Sequence, residues 1–508
     1  MHARTWSAAL VGLDAVRVSV EVDVAAGLPG TVIVGLPDTA VQESRERVRA
    51  ALRNAGFEFP MRRIVISLAP ADLRKEGPIY DLAIAMAVLA GSGQLSSPHL
   101  DDYLLLGEVT LDGQLRAIAG VLPIAVAAQR LGLRGIVVPA ANAAEAALVS
   151  GLAVHGFEQL AEVVHFLEQP QRFHPVVAET TPATEAFHGP DLADVKGQFH
   201  ARRALEIAAA GGHNLILVGP PGSGKTMLAR RLPGILPPLG FEESLEVTQV
   251  HSVAGLLRER GHLVRQRPFR SPHHSASGPS LVGGGSYPRP GEISLAHRGV
   301  LFLDELTEFK RDVLEFLRQP LEDGQVSISR ARQSVAFPAC FTLVASTNPC
   351  PCGYFGDSSQ RCTCSPRQRQ VYWARLSGPL LDRIDLQVVV GRLKPEELTR
   401  SGPGEASATV RERVIAARER SRDRFPASPR CNAELQSAQL RQCCALGEAE
   451  RQLLEGAIAR LGLSGRATDR ILKVARTIAD LADSEAIAIP HLAEAIQYRS
   501  LDRLTGSP

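Results

Sequence analysis

The segment GPPGSGKT at positions 219–226 has residue types and spacing suited to binding phosphate. An apolar run from Leu215 to Val218 precedes it and a helical pattern follows, which is the strand, loop and helix order of a P-loop. Lys225 suits the β- and γ-phosphates, and Thr226 suits Mg²⁺. The pattern therefore predicts that ATP and Mg²⁺ are bound by Gly219, Pro220, Pro221, Gly222, Ser223, Gly224, Lys225 and Thr226.

Two further apolar stretches end in polar residues that such a site needs. The stretch GVLFLDE, residues 299–305, predicts a core strand followed by Asp304, which would hold Mg²⁺, and Glu305, which would polarise the attacking water. The stretch FTLVASTN ends in Asn348, whose side chain could orient that water. An acidic pair after a strand can also be a solvated strand end, but the P-loop favours the catalytic interpretation.

Two arginines and one backbone segment are candidates for completing the site. Arg383, in SGPLLDRID, is predicted on a polar turn from which it could reach the γ-phosphate of a neighbouring subunit; the alternative is a salt bridge to an adjacent aspartate. Arg466, at the start of a C-terminal helix, could reach back to the nucleotide, and Arg470 is the less favoured candidate. The backbone near Val195 lies where related ATPases seat adenine.

Four of the eight cysteines fall within fifteen residues, in the pattern CxC, nine residues, CxC. Paired thiolates at this spacing can complete a tetrahedral zinc site, although CxC is tighter than the usual CxxC. Free thiols and disulfides are the alternatives, and a reducing compartment disfavours the latter. We therefore predict that a structural Zn²⁺ is bound by Cys350, Cys352, Cys362 and Cys364.

Two basic stretches suit a phosphate backbone, whose binding is largely electrostatic. Residues 251–290 hold six arginines against one acid, a local charge of six minus one, or +5, and we predict DNA contacts by Arg267 and Arg270. The segment VSISRARQSVAFP predicts a hairpin with Arg330 and Arg332 at or near its tip, where a ring of subunits would present a positive collar to DNA. The alternative is a solvated surface loop.

The composition is that of a folded globular protein with several domains. The 508 residues are 45% apolar and 22% charged, and the net charge of +2 means that a polyanion must be met by a local patch. No span of eighteen uncharged apolar residues occurs, and Asp14 interrupts the N-terminal stretch where a signal peptide would be apolar. These features predict a cytoplasmic protein without membrane association.

Alternating strand and helix patterns predict an α/β domain over residues 1–168. The segments EGPIYDLAIAMAVLA and GEVTLDGQLRAIAGVLPIAVAAQRLG resemble the Lon protease catalytic domain, which has a ribosomal protein S5-type fold. Ile79 and Leu122 stand where that family has its catalytic serine and lysine, so this domain is predicted to be a non-catalytic docking or assembly domain.

The rest of the chain divides into three predicted parts. A proline-rich linker at 169–190 precedes an ATPase core at 191–392, and residues 393–508 have the apolar spacing of a small helical lid.

Several long motifs resemble the Mg chelatase-like AAA+ ATPases, and VGLPDTAVQESRERVRAAL, PFRSPHHSASGPSLVGGG and NPCPCGYFGD are similar to the ComM (YifB) family in particular. The resemblance implies a three-layer α/β/α AAA+ core and a homo-hexameric, ATP-driven motor. Such a motor acts on single-stranded and branched DNA, promoting branch migration during natural transformation.

Two other functions could be inferred from the same sequence motifs. A protein-remodelling motor, similar to the ATPase subunit of Mg chelatase, would need no DNA. The long N-terminal domain and the cysteine cluster argue against it. A Lon-type peptidase is disfavoured by Ile79, because covalent catalysis needs a nucleophile.

Overall fold

The structure is a computed structural model that describes residues 1–177, 189–257, 261–285, 288–330, 333–357, 360–393, 396–397, 402, 404–426 and 430–499. The chain divides into two compact units. The first comprises residues 1–184 together with 244–264, and the second comprises 185–243 with 265–508. The predicted linker at 169–190 is described only in part, since residues 178–188 lie outside the described ranges.

The first unit is built on one seven-stranded mixed sheet in the order β3-β4-β2-β1-β5-β8-β9. Its elements in chain order are β1 His2–Val11, β2 Asp14–Ala25, β3 Gly30–Val34, α1 Thr39–Asn54, β4 Arg63–Ala69, α2 Asp81–Ser92, β5 Tyr103–Leu105, β6 Glu108–Val109, β7 Leu115–Arg116, α3 Val121–Arg130, β8 Gly135–Pro139, α4 Ala140–Ala146, β9 Ala153–Phe157 and α5 Leu160–Glu168.

The alternation of apolar residues along the strands explains which side chains of this sheet are buried. On β2 the side chains of Val18, Val20, Val22 and Val24 are buried, because every second residue of a strand points to the same face. Helix α2 is buried along its length from Asp81 to Leu89, which accounts for its almost wholly apolar sequence. The predicted α/β character of the first 168 residues is confirmed.

The second unit contains the remaining elements. In chain order they are α6 Phe199–Gly211, β10 Leu215–Val218, α7 Lys225–Ala229, α8 Leu232–Ile235, α9 Phe241–Val253 (which from Ser244 belongs to the first unit), β11 Phe269–Arg270, α10 Gly278–Val282, β12 Gly283–Gly284, β13 Arg289–Pro290, α11 Glu292–Leu295, β14 Val300–Leu303, α12 Arg311–Glu315, α13 Arg318–Asp323, β15 Gln325–Arg330, β16 Gln333–Pro338, β17 Thr342–Thr347, α14 Pro366–Trp373, α15 Gly378–Leu381, β18 Leu386–Val389, α16 Ser407–Arg424, α17 Ser437–Cys443, α18 Glu448–Leu461, α19 Gly465–Leu481 and α20 Ile489–Gln497.

Five parallel strands form the sheet of this unit, in the order β11-β14-β17-β10-β18. Strands β10, β14 and β17 are completely buried, as expected for a parallel sheet and predicted from their apolar runs. Because all five strands run in the same direction, the residues that follow β10, β14 and β17 meet at one edge. That edge carries the P-loop, Asp304 and Asn348.

The C-terminal helices continue the core of this unit. Residues predicted as a helical lid are helical from Ser407 onward, and Val410, Ile471 and Tyr498 belong to one hydrophobic cluster with Leu215 and Val388 of the sheet. Along the whole described chain, no helix combines the length and the apolar character required to cross a bilayer.

Candidate active site

The P-loop has the backbone that its glycines allow. Gly222 and Gly224 have φ angles of 78° and 91°, in the left-handed region that side chains rarely adopt. At Gly219 a Cβ atom would lie 2.1 Å from the carbonyl oxygen of Val390, so no larger residue fits. Helix α7 begins directly at Lys225, which leaves the loop wrapped around a helix N-terminus.

The ammonium group of Lys225 closes this loop. It donates to the carbonyl oxygens of Gly219 at 2.6 Å and Pro220 at 3.0 Å, and to Oδ1 of Asn348 at 3.3 Å. Burial lowers the pKa of Lys225, and the charges of Asp304 and Glu305 act in the opposite direction. The structure therefore brings Asn348 to the P-loop lysine, where the sequence predicted it.

The pair Thr226 and Asp304 fits a magnesium ion. The hydroxyl of Thr226 donates to Oδ2 of Asp304 at 2.8 Å. Neighbouring ligands in an octahedral Mg²⁺ shell lie about 3 Å apart, because the bonds are 2.0–2.1 Å long and at right angles. Both oxygens are hard donors of the kind that Mg²⁺ prefers, so these two residues would hold the ion that accompanies the nucleotide.

Ser346 is a site residue that the sequence analysis missed. Its hydroxyl donates a short hydrogen bond to Oδ1 of Asp304 and accepts one from the backbone N–H of Glu305 at 3.4 Å. Ser346 lies two residues before Asn348, so the two point to the same face of the β17 end. The alternation of side chains along a strand was the sequence signal that could have identified Ser346.

Glu305 has an exposed side chain and an unusual backbone. Its φ angle is 53°, a left-handed conformation that non-glycine residues seldom adopt, and its N–H also donates to Asp304 at 3.1 Å. Its carboxylate is partly exposed, and Oε2 lies 3.5 Å from Nδ1 of His274. Such local strain is common at catalytic positions, although it is not sufficient evidence of catalysis.

The segment around Val195 is held beside the P-loop. Val195 is fully buried, and three residues later Gln198 donates to the carbonyl oxygens of Ser223 at 3.5 Å and Gly391 at 2.7 Å. Arg231, after α7, donates to the Asp191 carbonyl at 2.7 Å. These bonds tie residues 191–198 to the loop, which is consistent with the predicted seat for adenine.

Arg383 lies at the opposite, amino-terminal edge of the sheet. The N–H of Asp385, two residues on, donates to the carbonyl of Asn214, the residue before β10. Arg383 pairs with Glu322 through a short contact, and not with either neighbouring aspartate. Its Nε is buried, and no atom of the described residues accepts a hydrogen bond from it. A guanidinium at this edge is unsuited to the P-loop of its own chain.

Arg466 is found with Arg383, and not beside Lys225. Burial lowers the pKa of Arg383, and the nearby positive charges of Arg318, Arg470 and Arg466 lower it further. Arg470 is ion-paired with buried Asp385. The predicted contact of Arg466 with the nucleotide stays a prediction, since within its own chain Arg466 lies beside Arg383 and not at the P-loop.

The four predicted zinc ligands are brought together. Their sulfurs all lie within 4.8 Å of one another, and the separations of Cys350–Cys352, Cys350–Cys362 and Cys352–Cys362 are 3.3, 3.7 and 3.6 Å. Sulfurs arranged tetrahedrally around zinc at about 2.3 Å are about 3.8 Å apart. The cysteine loop, residues 350–364, thus has the donor set and the spacing of a structural zinc site.

The side chains of two residues predicted to contact DNA make hydrogen bonds within the fold. Arg267 is buried and donates to the carbonyls of Pro237, Pro238 and Arg298 and to Glu243, and burial lowers its pKa to about 10. Arg270 makes a bidentate pair with Glu292 at 2.6 and 2.7 Å. The run of charge in the sequence did not reveal these acceptors.

The basic stretch at residues 251–290 is not one loop, because it is divided between the two units. Residues up to Val264 belong to the first unit, where Ser252 donates to buried Glu145 at 2.5 Å. The hairpin predicted over residues 326–338 is confirmed: β15 and β16 are antiparallel, and Arg330 pairs with Gln333. Its tip, including Arg332, and the side chain of Arg330 lie outside the described residues.

The residues that the sequence analysis aligned with the Lon catalytic serine and lysine have apolar surroundings. Leu122 is fully buried in a cluster with Leu104, Ile124 and Ile136, and Ile79 packs against the same cluster. These two residues stand where the Lon family has its serine and lysine, and here they fill the core. The geometry thus agrees with a domain that has no covalent chemistry at this position.

Three family models match the chain in succession. Residues 20–142 match the subunit ChlI of Mg-chelatase, residues 191–398 match magnesium chelatase, subunit ChlI, and residues 404–499 match its C-terminal part.

Individual relatives span nearly the whole chain. YifB of Escherichia coli K12 is 49% identical over 497 residues, covering 98% of this chain and 96% of the relative. The competence protein ComM of Haemophilus influenzae is 48% identical over 509 residues, covering 99% and 98%. Lon protease 2 of Bacillus subtilis is 26% identical over 201 residues, covering 34% of this chain and 36% of that protein.

Proposed function

The chain belongs to the ComM (YifB) family of Mg chelatase-like AAA+ proteins, and from this premise we propose that it is a homo-hexameric ATPase that moves branched DNA during natural transformation. ATP hydrolysis is the chemical step, and branch migration is its mechanical result. The first unit serves as a docking or assembly unit without peptidase activity. Such a motor would act in the cytoplasm, a location that stays a prediction.

One observation carries the ATPase part of the proposal. At the carboxyl edge of the sheet, adjacent residues of the P-loop end each meet a residue of another strand end: Lys225 donates to Asn348, and Thr226 donates to Asp304. When bound, Mg²⁺ supplies electrostatic stabilisation of the phosphates. Lys225 would neutralise the β- and γ-phosphates, Glu305 would accept a proton from water, and Asn348 would orient that water.

The position of Arg383 supports an assembly in which subunits share sites. A guanidinium at the edge remote from its own P-loop is well placed to serve a γ-phosphate held by a neighbouring copy, where it would spread positive charge over the transition state. Arg466 and Arg470 lie with it and would contribute to the same surface. In a closed ring each copy presents its P-loop edge to one neighbour and its Arg383 edge to the other.

The DNA part of the proposal rests mainly on the likeness to a competence protein. Within the chain it is supported by the β15–β16 hairpin, which carries Arg330 and Arg332 at its end. In a hexamer, six such hairpins would form a positively charged ring that binds DNA phosphates regardless of the base sequence. Arg267 and Arg270 have no part in this, since both are engaged within the fold.

The cysteine loop is proposed to bind one structural Zn²⁺. We expect about one zinc per chain by elemental analysis, since four thiolates complete the coordination shell. Cys362→Ser should lose the metal, whereas Cys340→Ser, which changes a cysteine outside the cluster, should retain it. Equal zinc contents in the two variants would refute the assignment.

The function is tested by steady-state ATPase rates with and without single-stranded and forked DNA. We expect DNA to raise the rate and the binding to weaken steeply with salt, as phosphate contacts require. Glu305→Gln should bind ATP normally but lose about 10²-fold or more in turnover, because a general base contributes about that much. An ATPase rate that does not change when DNA is added would favour the alternative function, a protein-remodelling motor.

A further inference from the structure

The cysteine loop begins at the same strand end that carries the active site. Asn348 directly follows β17, and Cys350, two residues later, is completely buried. Between them, the carbonyl oxygen of Pro349 accepts a hydrogen bond at 3.1 Å from Nε1 of Trp373, which is also buried. The first cysteine of the loop is therefore fixed close to the residue that receives a hydrogen bond from the P-loop lysine.

The backbone of the cysteine loop packs directly on the P-loop. The N–H of Gly353 donates to the carbonyl oxygen of Cys350 at 2.9 Å, and the φ angle of Gly353 is 87°. A Cβ atom at Gly353 would lie 2.8 Å from Cδ and 3.0 Å from Cγ of Pro221, the third residue of the P-loop segment. Because only a glycine leaves room for this approach, the two loops touch without a side chain between them.

One arginine also contacts both loops. Arg392 lies three residues after the end of β18, the strand that pairs with β10. Its Nη2 donates a long hydrogen bond to the carbonyl oxygen of Pro221 at 3.4 Å, and its Nε lies 3.4 Å from Oδ2 of Asp357 in the cysteine loop. Its guanidinium carbon lies 5.5 Å from the centre of the Tyr354 ring, within the range of a cation–π contact.

The ion pair of Arg392 with Asp357 is shielded from solvent on the side of the carboxylate. The side chain of Asp357 is 3% exposed and that of Arg392 is 34% exposed. A carboxylate buried to this degree needs a compensating positive charge, and this requirement holds the guanidinium at the cysteine loop. The position of the cysteine loop therefore influences the bond that the same guanidinium makes to the P-loop.

The rigidity of the cysteine loop depends on its four sulfurs. None of the cysteines forms a disulfide, and thiols are only weak hydrogen-bonding groups. Four bonds from the sulfurs to a bound Zn²⁺ would instead fix both ends of the loop at one point. Gly353, Tyr354 and Asp357 lie between the two cysteine pairs, so the metal would hold the residues that contact Pro221 and Arg392.

We propose that Arg392 is a positioning residue that couples the two loops, so that Zn²⁺ in the cysteine loop raises the affinity of the P-loop for ATP, and ATP raises the affinity for Zn²⁺. The inference rests on the proposed function, which assigns ATP to the P-loop and Zn²⁺ to the four thiolates. Arg392 acts through the backbone at Pro221, because N–H groups of the same loop are the phosphate donors. Coupling between two binding sites is reciprocal, so both affinities change by the same factor.

The test measures zinc retention at equilibrium. Zinc-loaded protein is titrated with a zinc-selective chelator that spares Mg²⁺, with and without a saturating non-hydrolysable ATP analogue and Mg²⁺. For the wild type, we expect the analogue to raise the chelator concentration that removes half of the zinc by about fivefold, the lower end of typical couplings between sites. Arg392→Gln should still bind one zinc per chain, but it should lose most of this shift.

Two control variants separate the coupling from other effects. Arg369→Gln is the matched control, because the guanidinium of Arg369 lies 4.0 Å from the ring centre of Phe355 in the cysteine loop but, within the described ranges, makes no hydrogen bond to the P-loop. It should keep the full shift. Lys225→Ala, which lacks the P-loop lysine, should show no shift, and any shift that it did show would measure zinc binding by the analogue in solution.

A second variant at the other end of the ion pair makes the outcome decisive. Asp357→Asn removes the negative charge that Arg392 meets, so it should lose the shift as Arg392→Gln does. A wild type without a shift, or a full shift in both of these variants, would overturn the inference. A wild type that holds no zinc would refute the zinc assignment, and one that does not bind the analogue would refute the ATPase assignment; either result would remove this inference as well.

Discussion

The two units of this protein each contain a position where a related family has catalytic groups, and the two positions have opposite chemistry. In the first unit, Ile79 and Leu122 pack into a hydrophobic cluster. In the second, Lys225 donates a hydrogen bond to Asn348, and Thr226 donates one to Asp304. Of these two positions, only the second has polar groups that can stabilise charge.

The comparison shows that fold and chemistry are separable. The first unit keeps its sheet and helices around the aliphatic residues Ile79 and Leu122, because apolar side chains there add to the core. The P-loop position has no such freedom, since Gly219 faces the Val390 carbonyl and Lys225 depends on loop carbonyls for its hydrogen bonds. Under the proposed function the two positions also differ in completeness: the apolar position is closed within one chain, whereas the polar one would take an arginine, Arg383, from another copy.

The largest expected effect sharpens this last point. Arg383→Ala should lower ATP turnover by about 10³-fold, since an arginine that stabilises phosphoryl transfer contributes about that much. Mixing it with Lys225→Ala, which is also inactive alone, should restore part of the activity, because mixed rings contain joints with an intact lysine and an intact arginine. Steady-state ATPase assays of the mixture check this. No recovery, in a mixture shown to form mixed rings, would mean that Arg383 does not act between copies.

The second prediction concerns the apolar position. Leu122→Ala should reduce the free energy of unfolding by about 3 kcal/mol through the cavity that it leaves in a closed core. Leu131→Ala, at an exposed leucine just after α3, should cost much less. Thermal or denaturant unfolding measures both. A small effect at Leu122, together with altered ATPase activity, would show that this position is functional and would break the comparison.

The smallest predicted effect tests how the polar site depends on the cysteine loop. A Cβ at Gly353 would lie 2.8 Å from Cδ of Pro221 in the P-loop, whereas one at Gly356 would meet nothing within 4 Å. Both glycines have similar positive φ angles, 87° and 82°, so both substitutions carry the same backbone cost. Gly353→Ala should therefore weaken ATP binding by about fivefold relative to Gly356→Ala, a difference of about 1 kcal/mol. Equal affinities would show that the two loops are independent.

Much of the active site was predictable because it follows contiguous apolar strands. The runs Leu215–Val218 and Val300–Leu303 became the buried strands β10 and β14, and parallel strands bring their ends together. The CxC pairs likewise converge through short-range chain geometry. Each of these predictions needed only residues near one another in sequence or the rule that parallel strands share an edge.

Predictions that depended on unseen partners did less well. Arg267 looked like part of a basic loop, yet its acceptors are carbonyls from residues 237, 238 and 298. Arg466 was expected to reach back to the nucleotide, and within one chain the packing of α19 places it with Arg383. The contact of His274 with Glu305 depends on the pairing of β11 with β14, which two residues of strand were too short to predict.

The sequence alone determined which chemistry is possible: glycines that admit phosphate, a lysine and a hydroxyl that follow them, acids at a strand end, and four thiols at metal spacing. These are properties of residue type and local spacing, so they survive without knowledge of the fold. The tertiary structure decided which charges remain available. A side chain's free energy in a folded protein depends on the burial and partners that distant segments supply, and for Arg267, Arg383 and His274 those partners lie 24 to 61 residues away.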